Sequence, residues 1–501
     1  MNAAWLPLTT LATSLFAAVI IFSLPEEARR VRTSINLLAA VVKILLVIVM
    51  VGRVSEGYED TFSFQIVGGV DFVLRADALG VMFAGLSSLL WLCTTIYAIG
   101  YLEGAANRKR FFGFFSLCVT STLGVALSGN LFTFLIFYEM LTLSTYPLVV
   151  HAGSAKALAA GRVYLRYTLT AGVVLLLGVV LLYSLTNDHS FASEQGLSPY
   201  LDDHRGLLTL IFALLVGGLA VKAAMVPLHG WLPRAMVAPA PVSALLHAVA
   251  VVKAGAFGIL RVIYDLYGIE LSVELGVTTV LAVAASITII YGSLRAIAQE
   301  ELKPRLAFST ISQVSYVVLG VSLFGPFGTI GALAHLLHQG LMKVTLFFCA
   351  GNYAEELGIH RLDEMDGAGK RMPLTSLAFT VGALGMIGLP PTAGFITKWY
   401  LGMGAIEADM YWVVAVLVAS STLNAIYFLP IVHRLWFREG PAHGKGQWPK
   451  EQSLGRLETH GWLLWPAVLT AVISIGAGLL AGLPFSPLDW ATRVAVGEYL
   501  P

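Results

Sequence analysis

Charge is what this chain has little of. Of its 501 residues only 12% are Asp, Glu, Lys or Arg, about half the share of a soluble domain. That shortage excludes an ordinary water-facing surface. The net charge is +1, so there is no basic excess to attract nucleic acid. Cysteine is scarce too. Cys93, Cys118 and Cys349 each stand alone inside an apolar segment, which excludes a disulfide framework or a thiolate metal site. No glycine-rich phosphate loop, metal-binding motif or nucleophile triad occurs, so no cofactor or metal is expected. No connection is long enough for a soluble catalytic domain. The longest, about 433–459, is polar and contains Gly and Pro (EGPAHGKGQWPKEQ). The first apolar segment ends in PEEARR, without a basic leader or a small-residue cleavage site, and reads as a retained helix.

What remains is apolar sequence. Hydrophobic residues make up 57% of the chain, and the mean hydropathy is +0.79. Apolar runs of membrane-spanning length recur from end to end. They predict an all-α polytopic membrane protein with about fourteen transmembrane helices. Charge in the connections checks the count. Alternate loops hold Arg29, Arg30 and Arg32; Arg108, Lys109 and Arg110; Lys156, Arg162 and Arg166; Arg234; Arg295, Lys303 and Arg305; Arg361, Lys370 and Arg371; and a basic set from Arg434 to Arg456. The opposite loops hold only Arg53, Arg75, Arg205, Arg261 and Arg493. This bias places the basic loops in the cytoplasm and both termini outside a cell membrane.

Six ionisable residues fall inside the spans: Lys43, Glu139, Lys222, Lys253, Lys343 and Lys398. Each costs at least about 2.5–3.5 kcal/mol at membrane depth, so they must face the bundle interior, a partner or water. Desolvation favours the neutral amine of a lysine, and a nearby carboxylate favours its charged form. A lysine whose carboxylate partner moves is therefore a proton switch, and Glu139 with Lys222 is the candidate. His247, His335 and His338 accompany the lysines; His335 and His338 share a helix face at i, i+3. Lys253 lies six residues beyond His247 and points to a different side. Each residue also has a bland reading, as a satisfied packing group or a snorkelling end. Lys43, in an early span with no histidine or break nearby, leans towards a structural or subunit-interface role.

Two helices are interrupted. The seventh, in GGLAVKAAMVPLHGWLP, carries Lys222 five residues before Pro227. The twelfth, in GLPPTAGFITKWY, carries Pro390 and Pro391 ahead of Lys398. Broken spans in corresponding halves point to repeats and to the transport site. Five spans separate them, an odd offset that inverts the topology. The chain therefore divides into three N-terminal helices (1–110), a first inverted five-helix repeat (spans 4–8, 111–267), a second (spans 9–13, 268–437), and a loop with a last helix (438–501).

The segments LFTFLIFYEMLTLSTYPLV, KAAMVPLHGWLPRAMVAPAPVSALLHAVAVVKAGAFGILR, STISQVSYVVLG, HLLHQGLMKVTLFFCAG and MIGLPPTAGFITKWY, with VDFVLRADALGVMFAGLSSLL before them, resemble the antiporter-like subunit family. It comprises proton-translocating membrane subunits of respiratory complex I, of membrane-bound hydrogenases and of Mrp antiporters. The likeness spans roughly residues 70–430. It implies that Glu139 and Lys222 form an input pair, that Lys253 and Lys343 continue the path, and that Lys398 is its outlet. His247, His335 and His338 would lie on the same hydrophilic axis. A length near 500 with lysine on the twelfth span resembles the D subunit of the Mrp group. The expected function is a proton-translocating subunit of a multisubunit monovalent cation (Na+)/proton antiporter, with other membrane subunits as partners and no enzymatic activity of its own. The alternative is a proton-pumping subunit of a complex I-like NADH-quinone oxidoreductase or a hydrogenase.

Overall fold

A computed structural model describes residues 3–102, 104–191, 196–440, 448 and 457–498. Hydrocarbon offers the backbone no hydrogen-bond partner, so apolar spans must satisfy their own amides, and helices do so. The chain opens with α1 (Trp5–Ser23) and α2 (Arg29–Ser55), then a short hairpin of β1 (Asp60–Val67) and β2 (Val70–Ala76). There follow α3 (Ala78–Tyr101), α4 (Arg108–Ala126), α5 (Leu131–Val149), α6 (Ala155–Thr186) and α7 (Leu201–Lys222). The next span, α8 (Ala240–Tyr267), is α-helical with two π-helical stretches. Then come α9 (Val277–Ile297), α10 (Leu302–Val321), α11 (Pro326–Leu357), α12 (Pro373–Ile387), α13 (Ala393–Glu407), α14 (Tyr411–Phe437), α15 (Gly461–Leu479) and α16 (Pro487–Glu498).

Among the described residues, eleven helices are long and apolar enough to cross a membrane. α4 falls short because its first turn is Arg108, Lys109 and Arg110, and α10 because its middle reads STISQVSY. Their hydroxyls are turned inward, and nearly all of both helices is buried among neighbours. α12 is too short alone, and with α13 it forms one broken span. The fourteen expected spans are thus all present. α8 and α11 are buried throughout their apolar stretches, whereas α2 and α14 turn most of theirs outward. The core therefore lies around α8 and α11.

Helix lengths run in parallel through the two groups. α6 and α11, third in each, have 32 residues each, and each is followed by a broken span.

Several expectations need correction. The loop after α2 is a hairpin, closed on α1 by Asp60, which accepts from the Ala3 amide at 2.7 Å and pairs with Arg53. A sixteenth helix follows the last span, and its Trp490 indole donates to the Ala78 carbonyl at 3.1 Å. Arg261, assigned to a loop, lies within α8 with 1% of its side chain exposed. It pairs with Asp77 at 2.7 Å and Asp265 at 2.6 Å, and Arg75 reaches Asp77 at 3.2 Å. Asp77 also caps α3 through the Gly80 amide. Of the polar connection after α14, the described part is residues 438–440, Trp448 and 457–459.

Candidate functional site

The break in the seventh span begins at Lys222, not at Pro227. Ala224 adopts φ 56°, a left-handed conformation that ends the helix. Lys222 is therefore the last residue of α7. The Trp231 indole returns to α7 and donates to the Val221 carbonyl at 2.7 Å. Pro227 follows within the non-helical turn, held by the Val226 amide on the Thr288 hydroxyl at 3.1 Å.

The twelfth span breaks between Gly388 and Thr392, a stretch that includes Pro390 and Pro391. Lys398, one turn into α13, reaches back across it. Its ammonium donates to the carbonyls of Met386 at 3.2 Å and Ile387 at 2.6 Å, and to the Ser421 hydroxyl at 2.9 Å. Those two carbonyls end α12, where a helix carries partial negative charge. Lys222 likewise stands at a helix C-terminus. Both broken spans thus carry a lysine beside the break, but they use it differently: the Lys398 ammonium, from the half after its break, is seated on the carbonyls of the half before, whereas the Lys222 ammonium, from the half before its break, turns to Tyr138 of α5.

Glu139 and Lys222 do not form a direct ion pair among the described residues. Lys222 donates to the Tyr138 backbone carbonyl and lies over the Tyr138 ring, 3.3 Å from its centroid. The Glu139 carboxylate remains within electrostatic reach of it. Glu139 Oε1 is buried without a hydrogen-bond partner, and the carboxylate packs onto Gly172 of α6, where any side chain would collide with it. Lys222 thus rests on Tyr138, and the Glu139 carboxylate rests on Gly172.

Gly255 joins α8 to this end of α7. Its α-carbon packs on the backbone of Leu219, Lys222 and Ala223, and a Cβ there would lie 2.8 Å from the Leu219 carbonyl oxygen. Lys253, two residues earlier and fully buried, donates to the Leu336 carbonyl at 2.7 Å. That carbonyl adjoins His335. His335 Nε2 lies 3.0 Å from the Gln313 carbonyl, and Nδ1 lies 3.0 Å from the Thr397 hydroxyl. A carbonyl only accepts, so Nε2 carries a proton, and Nδ1 is the nitrogen able to gain one. The Gly394 carbonyl, 3.0 Å from the Thr397 hydroxyl, is the alternative acceptor for that hydroxyl's single proton, and Lys398 is the next residue. His338, on the same face of α11, approaches the Ala393 backbone at the start of α13.

Lys343 donates to the Ser309 hydroxyl and to the Leu306 carbonyl at 3.2 Å, both on α10. His247 sits in a π-helical turn, its ring 4.6 Å from that of Phe347 and neither nitrogen hydrogen-bonded. This π turn and the break at Ala250 lie between His247 and Lys253, so ordinary helix spacing does not fix their directions. Lys253 is within electrostatic reach of both His335 and Lys343, and Lys343 of His247. The arrangement forks at Lys253. One arm runs through His335 and Thr397 to Lys398, the other through Lys343 and His247.

A cavity of about 970 Å³ opens on the basic face, beside Lys156, Arg234, Glu301, Lys303 and Glu364. None of the site residues lines it. Lys303 projects from it to the Ala238 carbonyl at 2.6 Å and is within electrostatic reach of His247.

Lys222, Lys253, Lys343 and the three predicted histidines are thus buried, and Lys398 is part-buried beside them. Sequence reasoning missed the groups that hold them: Tyr138, Gly172, Gln313, Ser309, Thr397 and Ser421. Two left a trace, since Tyr138 and Thr397 immediately precede Glu139 and Lys398. Gly172 left another, a glycine deep inside a long helix.

This is the arrangement of an ion-translocating membrane subunit, and relatives agree. The family model described as NADH:quinone oxidoreductase/Mrp antiporter, TM, matches residues 128–424. The chain belongs to that family. It is 37% identical over 419 residues to NADH-quinone oxidoreductase subunit N of Desulforudis audaxviator, covering 82% of each chain. It is 33% identical over 346 residues to hydrogenase-4 component B of Escherichia coli, covering 66% of this chain but 50% of that one. A chain of the Mrp complex from Dietzia sp. DQ12-45-1b superposes with a TM-score of 0.85 at 26% identity, covering 99% of this chain and 97% of that chain.

Proposed function

We propose that this chain is the proton-translocating subunit of a multisubunit monovalent cation/proton antiporter, exchanging protons for Na+ together with other membrane subunits. The observation that carries it is the run of buried ammonium and imidazole groups, without ion-paired carboxylates among the described residues, that forks at Lys253 and reaches the part-buried Lys398. Uncompensated charges at such depth are retained for ion movement rather than for stability. Glu139 governs entry. When its carboxylate approaches Lys222, the ammonium is held; when it swings towards Gly172, the proton is released to Lys253. His335 Nδ1 then passes it by way of the Thr397 hydroxyl to Lys398, which the α12 carbonyls receive. In this reading residues 111–267 and 268–437 are inverted units, 1–110 and 438–501 flank them, and both termini face outside the cell membrane. The near-complete superposition on a chain of an Mrp complex supports it.

The test is Glu139→Ala and Lys222→Ala in the assembled complex. Each should abolish ΔpH-driven cation exchange in inverted vesicles while leaving assembly intact. Wild-type exchange in either variant refutes the mechanism.

A second reading rests on one observation, the 37% identity to a quinone oxidoreductase subunit across most of both chains. There the same groups move protons, but electron transfer drives them. Isolation of the native complex separates the two. Flavin and iron–sulfur partners support the redox reading; small membrane subunits alone support the antiporter.

A further inference from the structure

One buried charge is not part of the axis. Lys43, in α2, has no exposed surface, which overturns the expectation of a subunit interface. Its ammonium lies 2.5 Å from the Ser14 hydroxyl of α1 and 4.7 Å from the centroid of the Trp91 ring of α3. No carboxylate, imidazole or guanidinium from α1, α3 or α4 pairs with it among the described residues. An ammonium has three donors, and the protein atoms supply it with one acceptor and one ring.

Two sets of polar groups converge there. One leads in from the basic face, where α2 begins at Arg29. The Asn36 amide donates to the Arg32 carbonyl at 3.0 Å, and the Ser116 hydroxyl donates to Asn36 Oδ1 at 3.3 Å. One turn further along α4, the Thr120 hydroxyl lies 2.8 Å from Ser14 Oγ, which Lys43 also contacts. Ser116 and Thr120 are about 6 Å apart along the axis, a gap one bridging water covers. The other set lies on α3, where Ser87, Ser88, Trp91 and Thr95 form one stripe at i, i+1, i+4 and i+8. All four are fully buried, and the Oγ, Nε1 and Oγ1 atoms have no protein hydrogen-bond partner. Buried polar atoms left unpaired by the protein are the usual mark of ordered water. Trp91 sets this stripe against the uncompensated lysine, and the two sets together define a polar seam inside an otherwise apolar unit.

We propose that Lys43 is a second proton-binding site, separate from the axis and loaded from the basic face along the seam between α1, α2, α3 and α4. Ser14 is its relay. A hydroxyl both donates and accepts, so Ser14 Oγ gives its proton to the neutral amine while taking one from the Thr120 hydroxyl. Thr120 is restored from water. The net change is one proton removed from solution on the basic face and one N–H bond formed on Lys43. No carboxylate opposes release, so the step runs equally in reverse.

The test is proton uptake by the purified complex after a pH jump, which requires no transport. Lys43→Met should bind one proton fewer per chain across the full titration. Thr120→Val, which keeps the lysine, should leave that number unchanged and slow uptake by roughly 10²-fold, the scale of losing one positioned proton-transfer group. Glu139→Ala should lose transport yet keep the Lys43 proton, which separates this site from the axis. Superimposable titrations of wild type and Lys43→Met overturn the proposal. If Lys43→Met does not assemble, Thr120→Val decides: uptake at the wild-type rate overturns it, and slowed uptake with a full proton count supports it.

Discussion

Gly172 is the position where one methyl group tests the entry mechanism. It lies inside α6 with the Glu139 carboxylate against its α-carbon. A Cβ built there would sit 2.6 Å from the carboxyl carbon of Glu139. Carbon atoms in contact settle at about 3.5–4.0 Å, so the carboxylate must retreat by about 1 Å. It can do so cheaply, because it is the free end of a flexible side chain and Oε1 has no hydrogen bond holding it. Replacing a helix-interior glycine by alanine returns up to about 1 kcal/mol of helix stability. Stability should therefore change little in Gly172→Ala. Function should not be spared, since a 1 Å misplacement of a working group costs up to about 10²-fold in rate. Inverted vesicles carrying equal amounts of assembled complex should show cation exchange reduced by about 10- to 100-fold. Exchange at the wild-type rate refutes the role given to Glu139. Loss of the assembled complex refutes it too, because the close approach would then serve packing.

Two further outcomes follow from the polar contacts. Asp77→Asn leaves the α3 cap in place but strips Arg261 of one of its two carboxylates. Breaking a buried pair costs about 3–5 kcal/mol, and Asp265 keeps the loss near the lower end. Thermal unfolding of the solubilised complex should show it, and Asp77→Asn with Arg261→Met should recover part of it; an unchanged melting temperature in the single variant contradicts the pairing. Thr397→Val keeps the shape beside His335 and removes the hydroxyl on Nδ1. Proton transfer should slow without change in assembly or in apparent cation affinity, and a changed affinity with an unchanged maximal rate would place Thr397 elsewhere in the cycle.

Much of the site was legible in the sequence because ionisable residues at membrane depth are few and costly. Glu139, Lys222, Lys253, Lys343 and Lys398 stand out against hydrocarbon without any structure. The two breaks were legible from proline, but not their exact onset, because Ala224 rather than Pro227 takes the left-handed conformation. The hairpin over Asp60–Ala76 was hidden between two strong apolar signals. Arg261 was misplaced because a guanidinium near a span end looks like a loop residue until its carboxylates are found, and one of them, Asp77, lies far away in sequence.

The sequence by itself determined the run of apolar spans, the broken pair and the candidate proton carriers. These follow from local rules: hydrocarbon forbids unpaired backbone, and charge there is retained only for a reason. Tertiary structure decided which carrier meets which. It seated Lys222 on Tyr138, made the Leu336 carbonyl the seat of Lys253, aimed Lys398 back at the end of α12, and drew Ser14, Trp91 and Thr120 around Lys43. The reason is reach. Spacing along one helix fixes which residues share a face, but a proton crosses between helices, and only their packing fixes those distances.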